Sequence, residues 1–299
     1  MIKNYKKDGF VKTDYKPQPK TCPEAAQFKI DILLSTYNGE KYLSEQIASI
    51  LNQTFTDWQL LVRDDGSSDG TLDILKHYCK KYPEQIRILN DDLGNLGSGA
   101  SFAVLMKQST APYIMFCDQD DVWFTTKIEW TFSAMQDLSK CYSDIPLLVA
   151  TDLMIVDEQL NKISESFIQD QKLYPDVFDD VHKCLALSVA PGCTMMLNRK
   201  AVEKILPVPF GHLHDHWSAS IVSYYGKIFF YNQPTLFYRQ HTKNVCGRKI
   251  IGIRYYFIRL CKISTVFWKR YDMYSHLPFR INCLKYIYYT LYYAMKRMF

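Results

Sequence analysis

The chain reads as an α/β protein with a mostly parallel central sheet and helices on both faces, and three observations point there. Four short apolar segments between residues 30 and 117 lack polar alternation, as expected of strands buried on both faces. Stretches of 3.6-residue periodicity separate them. Polar or acidic groups follow three of the four segments, on the rim where such sheets bind ligands.

Ile30 to Ser35 is the first such strand, and from Glu40 onward Leu43, Ile47, Ile50 and Leu51 fall on one helical face. Trp58 to Arg63 is the second strand, and the turn from Asp64 to Gly70 offers several N-caps to the helix that follows. Leu72, Leu75, Cys79 and Tyr82 carry that helix until Pro83 stops it, and Ile86 to Asn90 makes a third strand. Gly94 to Gly99 leads into a helix through Phe102, Leu105 and Met106, and Tyr113 to Cys117 is the fourth strand. This rhythm predicts right-handed crossovers onto a parallel sheet. Beyond it the pattern is less regular, with strands expected at Leu147 to Thr151, Cys193 to Leu197 and Lys227 to Tyr231.

With 299 residues, 47% of them hydrophobic, the chain can build one large domain or two modest ones. Residues 1–27 form a flexible N-terminal extension without the apolar run of a signal peptide, residues 28–247 the main domain, and residues 248–299 a basic, aromatic-rich helical region. No apolar run reaches the ~18 residues of a membrane span. The nine cysteines contain no C-x-x-C pair and sit largely in apolar runs, the usage of a reduced cytoplasmic protein.

The net charge of +5 conceals an asymmetry, because residues 248–299 hold eleven Lys or Arg against the single acid Asp272. Fourteen aromatics are interleaved with those cations. An anionic membrane surface suits that composition, and an intramolecular cap is the competing reading. A nucleic-acid patch would need a recognisable binding module, and none accompanies the charge, so no nucleic-acid partner is expected.

The chemistry-bearing stretch is Asp118-Gln119-Asp120-Asp121, where an apolar strand runs into three carboxylates. Strand alternation sends Asp118 and Asp120 to one face, so two hard oxygen ligands arrive together, the pattern of a Mn2+ or Mg2+ site serving phosphates. A polar loop after a buried strand is the plainer reading. Gly97-x-Gly99 lacks a third glycine at Phe102, and no G-x-x-x-x-G-K-[ST] occurs, so dinucleotide and P-loop cradles are excluded. Asp215 lies between His214 and His216 and suits either a proton acceptor on an extended segment or a helix N-cap. Arg239 and His241 follow a strand, where they would meet diphosphate or metal, or where Arg239 forms a salt bridge.

Thr36-Tyr37-Asn38-Gly39, Asp64-Asp65-Gly66-Ser67-x-Asp69, Asn95-Leu96-Gly97, Asp118-x-Asp120-Asp121, His214-Asp215-x-Trp217 and Tyr238-Arg239-x-His241 form an ordered series. It resembles family 2 glycosyltransferases of the inverting, GT-A type, and within them the bacterial rhamnosyltransferase-like branch. The resemblance runs from about Asp31 to Gly247. It implies a nucleotide-sugar half over 28–125 and an acceptor half over 126–247. Thr36, Tyr37 and Asp65 match residues that seat the nucleotide base, with Asp64 close by and Asn38, Asn95 and Gly97 in the same nucleotide-binding set. Asp118 matches the ribose-contacting acid, Asp120 the ligand of the Mn2+ or Mg2+ ion, with His241 as a further ligand, and Asp215 the general base. Asp121, Trp123, His214, Trp217 and Arg239 are implied substrate contacts, although Trp217 also suits packing. Ser101 and Ser188 stand where relatives often carry Asn, and His216 where they carry an aromatic.

The resemblance implies transfer of one sugar, L-rhamnose from dTDP-rhamnose or another UDP- or dTDP-linked hexose, to a glycan or polyprenyl-diphosphate-linked saccharide. It places the enzyme in the cytoplasm at the inner face of the membrane, in bacterial surface-polysaccharide synthesis. Processive relatives carry Gln-x-x-Arg-Trp, which is absent. A nucleotidyltransferase would begin with a Gly-rich loop and a lysine rather than Thr36-Tyr37-Asn38, and a non-catalytic scaffold would release no nucleotide.

Overall fold

Strand β1 (Ile30–Thr36) sits at the centre of the first half of the sheet because both of its faces are apolar. Ile32 and Leu34 face one layer with Ile47, Ile50 and Trp58, while Leu33 faces the other with Phe102 and Phe116. The structure, a computed structural model, describes residues 28–242, 244 and 273–297. The N-terminal extension (1–27) and most of the basic segment before residue 273 lie outside them.

The alternation expected up to Cys117 is present. Helix α1 (Leu43–Leu51) starts three residues later than its periodicity suggests, and strand β2 (Trp58–Asp64), helix α2 (Thr71–Lys81), strand β3 (Ile86–Ile88), helix α3 (Ser98–Gln108) and strand β4 (Tyr113–Cys117) follow. All pairings among these strands are parallel, and Thr36 is in register with Asp64. The ends of β1, β2 and β4 therefore reach one rim.

Beyond Cys117 the sheet becomes mixed. Strand β5 (Val122–Trp123) and helix α4 (Lys127–Cys141) precede the long β6 (Leu147–Val156). After it come β7 (Lys162–Ser164), α5 (Phe167–Asp170), a 3-10 turn at Pro175–Asp179, α6 (Val181–Ala186), β8 (Met195–Asn198) and α7 (Arg199–Ile205). Helix α8 (His214–Tyr225), strand β9 (Lys227–Arg239) and helix α9 (Cys283–Lys296) follow among the described residues. The strand order is β3-β2-β1-β4-β8-β6-β9-β5, with β7 on β6. Strand β8 runs antiparallel to both β4 and β6, while β6 and β9 pair in parallel. Parallel pairing thus dominates only the first half.

Both β6 and β9 outrun their expected ends, Thr151 and Tyr231. Asp152 and the Asn232-Gln233-Pro234 stretch interrupt the apolar signal there, and the register shifts at Asp152, where a bulge absorbs the proline opposite. Asp152 is 3% exposed and accepts hydrogen bonds from Leu153 N, Phe167 N and Ser166 Oγ. Its burial is matched by those donors.

The 212–214 segment is held against the first half by Gly99, Phe102 and Phe116 and within its own half by Gly192. Gly99 packs so close to the His212 carbonyl that an added Cβ would collide with that oxygen, and Gly192 leaves the same lack of room beside the His214 ring. His214 is 5% exposed, with its ring 4.0 Å from Phe102 and 4.5 Å from Phe116. The start of α8 is thereby wedged between α3 and the Gly192 turn.

Arg63 supplies the charged counterpart on the nucleotide side. Only 1% exposed, it pairs with Asp65, donates to Asp91 at 2.9 and 3.1 Å, and reaches the Gly94 carbonyl at 2.8 Å and Ser101 Oγ at 3.2 Å. Ser101, where relatives often have Asn, also accepts from Ser35 Oγ at 2.7 Å. At the C-terminus the described part of the basic region forms a cap. Tyr293 is 2% exposed and donates to Asp176, Lys285 reaches Asp180 at 2.5 Å, and Phe279 stacks on Tyr224 at 3.8 Å.

Replacing Arg63 by Met leaves two buried carboxylates without their cation, so urea unfolding should show a loss of about 3–5 kcal/mol. His214 generates a pH effect. Burial pulls its pKa down to about 3, whereas the unfolded chain titrates near 6.5. Below pH ~6.5 the unfolded state binds a proton that the folded state refuses, so stability falls towards pH 3, by up to about 1.4 kcal/mol per pH unit. Denaturation across that range should show the slope in the wild type and a flatter curve in His214→Leu.

Candidate active site

The nucleotide side is built from hydrogen bonds among the strand-end loops. Asp64 accepts from Thr36 Oγ1 at 2.8 Å, from Ser67 N at 2.8 Å and from Gly66 N at 3.1 Å. Asp65, 3% exposed, accepts from Arg63 and from Leu96 N and Gly97 N at 2.8 Å each, while Asn95 Nδ2 donates to its carbonyl at 2.9 Å. Asn38 Oδ1 accepts from Ser68 N at 2.8 Å. These residues come together as expected, but Thr36 is fully buried and Asp65 nearly so. They form the frame of the rim, whose open surface includes the half-exposed ring of Tyr37 and the exposed Asn95 and Gly97.

Gln119 fixes that ring's backbone, and sequence reasoning missed it. Its amide accepts from Tyr37 N at 2.9 Å and donates to Tyr37 O at 3.0 Å. A side chain thus extends the β1–β4 ladder by one pairing. Its only sequence signal is its place between Asp118 and Asp120.

Past Cys117 the backbone leaves the strand, so the alternation expected of Asp118 and Asp120 gives way to a turn. Asp118, Asp121 and Cys193 offer ligand atoms that all lie within 4.8 Å of one another. Asp120 instead accepts from His241 Nε2 at 2.8 Å, and its charge still acts on both neighbours. Burial, then Asp120 and Asp215, push the Asp118 carboxyl up to about 7, and burial with the same crowding raises Asp121 well above the usual carboxylate range. Asp121 accepts from Arg239 N at 3.3 Å, but its Oδ2 is buried with no hydrogen-bond partner.

That orphaned oxygen beside a second crowded carboxylate is what a divalent cation satisfies, so the residues fit Mn2+ or Mg2+ held through oxygen. Cys193 fits less well. Burial and the adjacent acids push its thiol well up, which keeps it protonated and a poor donor to a hard cation. Lys127 lies behind the cluster, pulled down to about 8 by burial against the opposing pull of Cys193, Cys117 and Asp121, and donates to Thr235 at 3.1 Å. The sequence marked neither residue, since each meets its neighbours in the site from a different element.

Asp215 approaches from the other half. It lies in the first turn of α8, whose N-cap is Leu213, so neither an extended segment nor an Asp215 N-cap is present. Burial raises its pKa, and the backbone N–H groups of His216, Gly192 and Asp215 itself hold the rise back. His216 N donates to Asp215 Oδ1 at 2.6 Å, and His216 Nε2 donates to the Cys184 carbonyl at 3.2 Å. Asp215 is near enough to Asp118 for its charge to be felt there.

Four residues expected to touch substrate are instead part of the frame. His214 is enclosed by Phe102 and Phe116, and both of its ring nitrogens lack partners. Trp217 is 2% exposed and donates to the Ile205 carbonyl at 2.9 Å. Trp123 is 3% exposed on β5, with Lys127 Nζ 4.9 Å from its ring centre. Arg239 is 2% exposed, pairs with Glu45, and donates to the carbonyls of Asp120 at 2.9 Å and Glu158 at 2.5 Å, so its donors are taken up inside the protein. Aromatic and cationic residues beside a motif read alike whether they face the ligand or hold its loop, and burial separates them.

The profile described as "Glycosyl transferase family 2" matches residues 31–206. A dTDP-rhamnosyl transferase, RfbG, of Shigella flexneri is 28% identical over 232 residues, 73% of this chain and 74% of its own. A β-1,3-glucosyltransferase of Escherichia coli, WfgD, named for UDP-Glc and α-D-GlcNAc-diphosphoundecaprenol, is 26% identical over 192 residues, 64% of this chain and 68% of its own. Among solved structures, S. aureus TarS 1-349 with UDP aligns at a TM-score of 0.53 and 16% identity, over 71% of this chain and 60% of that one. The mannosyltransferase PcManGT of Pyrobaculum calidifontis, with GDP-Man and Mn2+, aligns at 0.55 and 14% identity over 81% and 63%. This chain therefore spans about three fifths of those solved chains, and the likeness shows the shared GT-A fold. The profile match covers more than half of the sequence and every strand end of the donor rim, and on it this chain belongs to glycosyl transferase family 2.

Proposed function

We propose that this glycosyltransferase moves a single L-rhamnose from dTDP-rhamnose to a lipid-linked saccharide, with inversion, in the making of a bacterial surface polysaccharide. The observation that carries the reading is the convergence of Asp118, Asp120 and Asp121 from the donor half with Asp215 from α8. In the reaction an acceptor hydroxyl oxygen attacks the anomeric carbon, the bond from that carbon to the diphosphate breaks, and the nucleoside diphosphate leaves. Asp215 takes the hydroxyl proton. Its raised proton affinity suits a base, and such help is typically worth about 10²- to 10⁴-fold. Asp118 and Asp121, with Asp120 at their border, would hold the cation, which when bound neutralises charge developing on the leaving diphosphate. His241 keeps Asp120 in place, Arg239 braces the Asp120 carbonyl, and the Gln119 clamp holds Tyr37 where its ring can lie against the base.

The named donor of the Shigella relative supports dTDP-rhamnose, and the diphosphoundecaprenol acceptor of the E. coli relative supports a lipid-linked acceptor at the inner face of the membrane. A second reading, a UDP-hexose donor, is favoured by that same E. coli relative and by the UDP bound in the TarS structure.

A thermal-shift panel of dTDP-, UDP- and GDP-sugars, each with and without Mn2+ or Mg2+, should give the largest stabilisation for dTDP-rhamnose with metal. A larger shift with a UDP-hexose selects the second reading. Asp215→Asn should lower the transfer rate by about 10²- to 10⁴-fold while leaving donor binding intact, whereas Asp120→Ala should also weaken metal-dependent donor binding. Near-normal turnover by Asp215→Asn would remove it as the base.

A further inference from the structure

We propose that the outward face of α9 is a lipid-docking surface that seats the enzyme on an anionic bilayer. The helix is two-sided. Tyr293 is 2% exposed and faces the domain, whereas Leu284, Ile287, Tyr288, Leu291 and Met295 are 79%, 50%, 60%, 60% and 55% exposed. At about 100° per residue these five fall within an arc of about 100°, centred opposite Tyr293. A soluble helix normally turns polar residues outward. Here each turn of the exposed side presents a large apolar or aromatic side chain.

The inward contacts hold the stripe in a fixed direction. Asn282 Oδ1 caps the helix by accepting from Lys285 N at 3.1 Å, Asn282 N donates to His182 Nε2 at 3.0 Å, and Lys285 is tied to Asp180. At the other end Arg297 donates to the Gln171 carbonyl at 2.9 Å, and Tyr174 donates to the Lys296 carbonyl at 3.2 Å. Among the described residues no helix is long and apolar enough to cross a membrane, so contact would be made along the helix and not through it.

Charge selects the occupant. Residues 273–297 carry Arg280, Lys285, Lys296 and Arg297 and no acid, and the whole region from 248 holds eleven cations against one acid. Two copies meeting stripe to stripe would bring together two regions of net positive charge, which disfavours self-association. Anionic headgroups complement the same charge, and leucine, methionine and tyrosine suit the boundary beneath them. The apolar arc and the net positive charge of the region thus call for one partner, a surface both negative and oily.

The inference deepens the reading of a lipid-linked acceptor, and its test is independent of that reading. Vesicles of phosphatidylglycerol and phosphatidylcholine, and vesicles of phosphatidylcholine alone, all without acceptor lipid or donor, are sedimented with the full chain. Wild type should bind the anionic vesicles at least about tenfold more tightly than the neutral ones and should be released by high salt. Leu284→Gln combined with Leu291→Gln should lose at least about tenfold of that binding, with an unchanged melting temperature and unchanged nucleotide release from donor. Should the double variant melt early, Leu284→Gln alone at the exposed first turn provides the same comparison, and the wild-type salt titration needs no variant. Equal vesicle binding by wild type and variant, no binding by wild type, or a dimer in gel filtration that the variant breaks would each overturn the proposal. Vesicle binding by an enzyme that transfers no sugar to a lipid-linked saccharide supplied separately with donor would sink the acceptor reading and leave the docking face standing.

Discussion

Electrostatic crowding at the rim of the sheet is the constraint around which this molecule is arranged. Asp118, Asp120, Asp121 and Asp215 share a partly buried space, and the Asp118 carboxyl is driven up to about 7 as a result. Left alone, such a cluster would spread apart or take up protons. The surrounding structure prevents the first outcome. Arg239, buried and fully engaged, grips the Asp120 backbone, His241 holds its carboxylate, and Lys127 stands behind Asp121. Repulsion that the protein does not relieve is available to a divalent cation, so the strain and the affinity have one origin.

The donor and acceptor sides meet this constraint differently. On the donor side, acids are saturated by backbone N–H groups and by Arg63, which turns Asp64 and Asp65 into staples between loops. On the acceptor side Asp215 rests at the start of a helix, where N–H groups and the helix dipole favour its anion while burial opposes it. The close approach of Gly99 to the His212 carbonyl limits how far apart the two sides stand, because that place has no room for a side chain.

How much of this could be read from the sequence follows from how far each signal extends. Up to Cys117 every element was legible, since buried parallel strands and amphipathic helices announce themselves within a few residues. Helix α4 and the far halves of β6 and β9 were not, because Asp152 and Pro234 interrupt the pattern and only cross-strand pairing shows that the strands continue. At the site the polar residues were legible as a set but not by orientation. Arg239, His214, Trp123 and Trp217 belong to the same motifs as the acids and yet are walled off from solvent, which spacing along the chain does not encode. Cys193 and Lys127 were invisible because their partners are remote in sequence.

The hydrogen bond from His216 to the Cys184 carbonyl links the start of α8 to α6. Cys184 belongs to α6, and the segment around α6 receives Lys285 through Asp180 and Asn282 through His182. A relay of short rigid pieces thus runs from the C-terminal helix to the residue beside Asp215. Helix α9 and the first turn of α8 thus belong to one frame, even though the family motifs end some forty residues earlier in the chain.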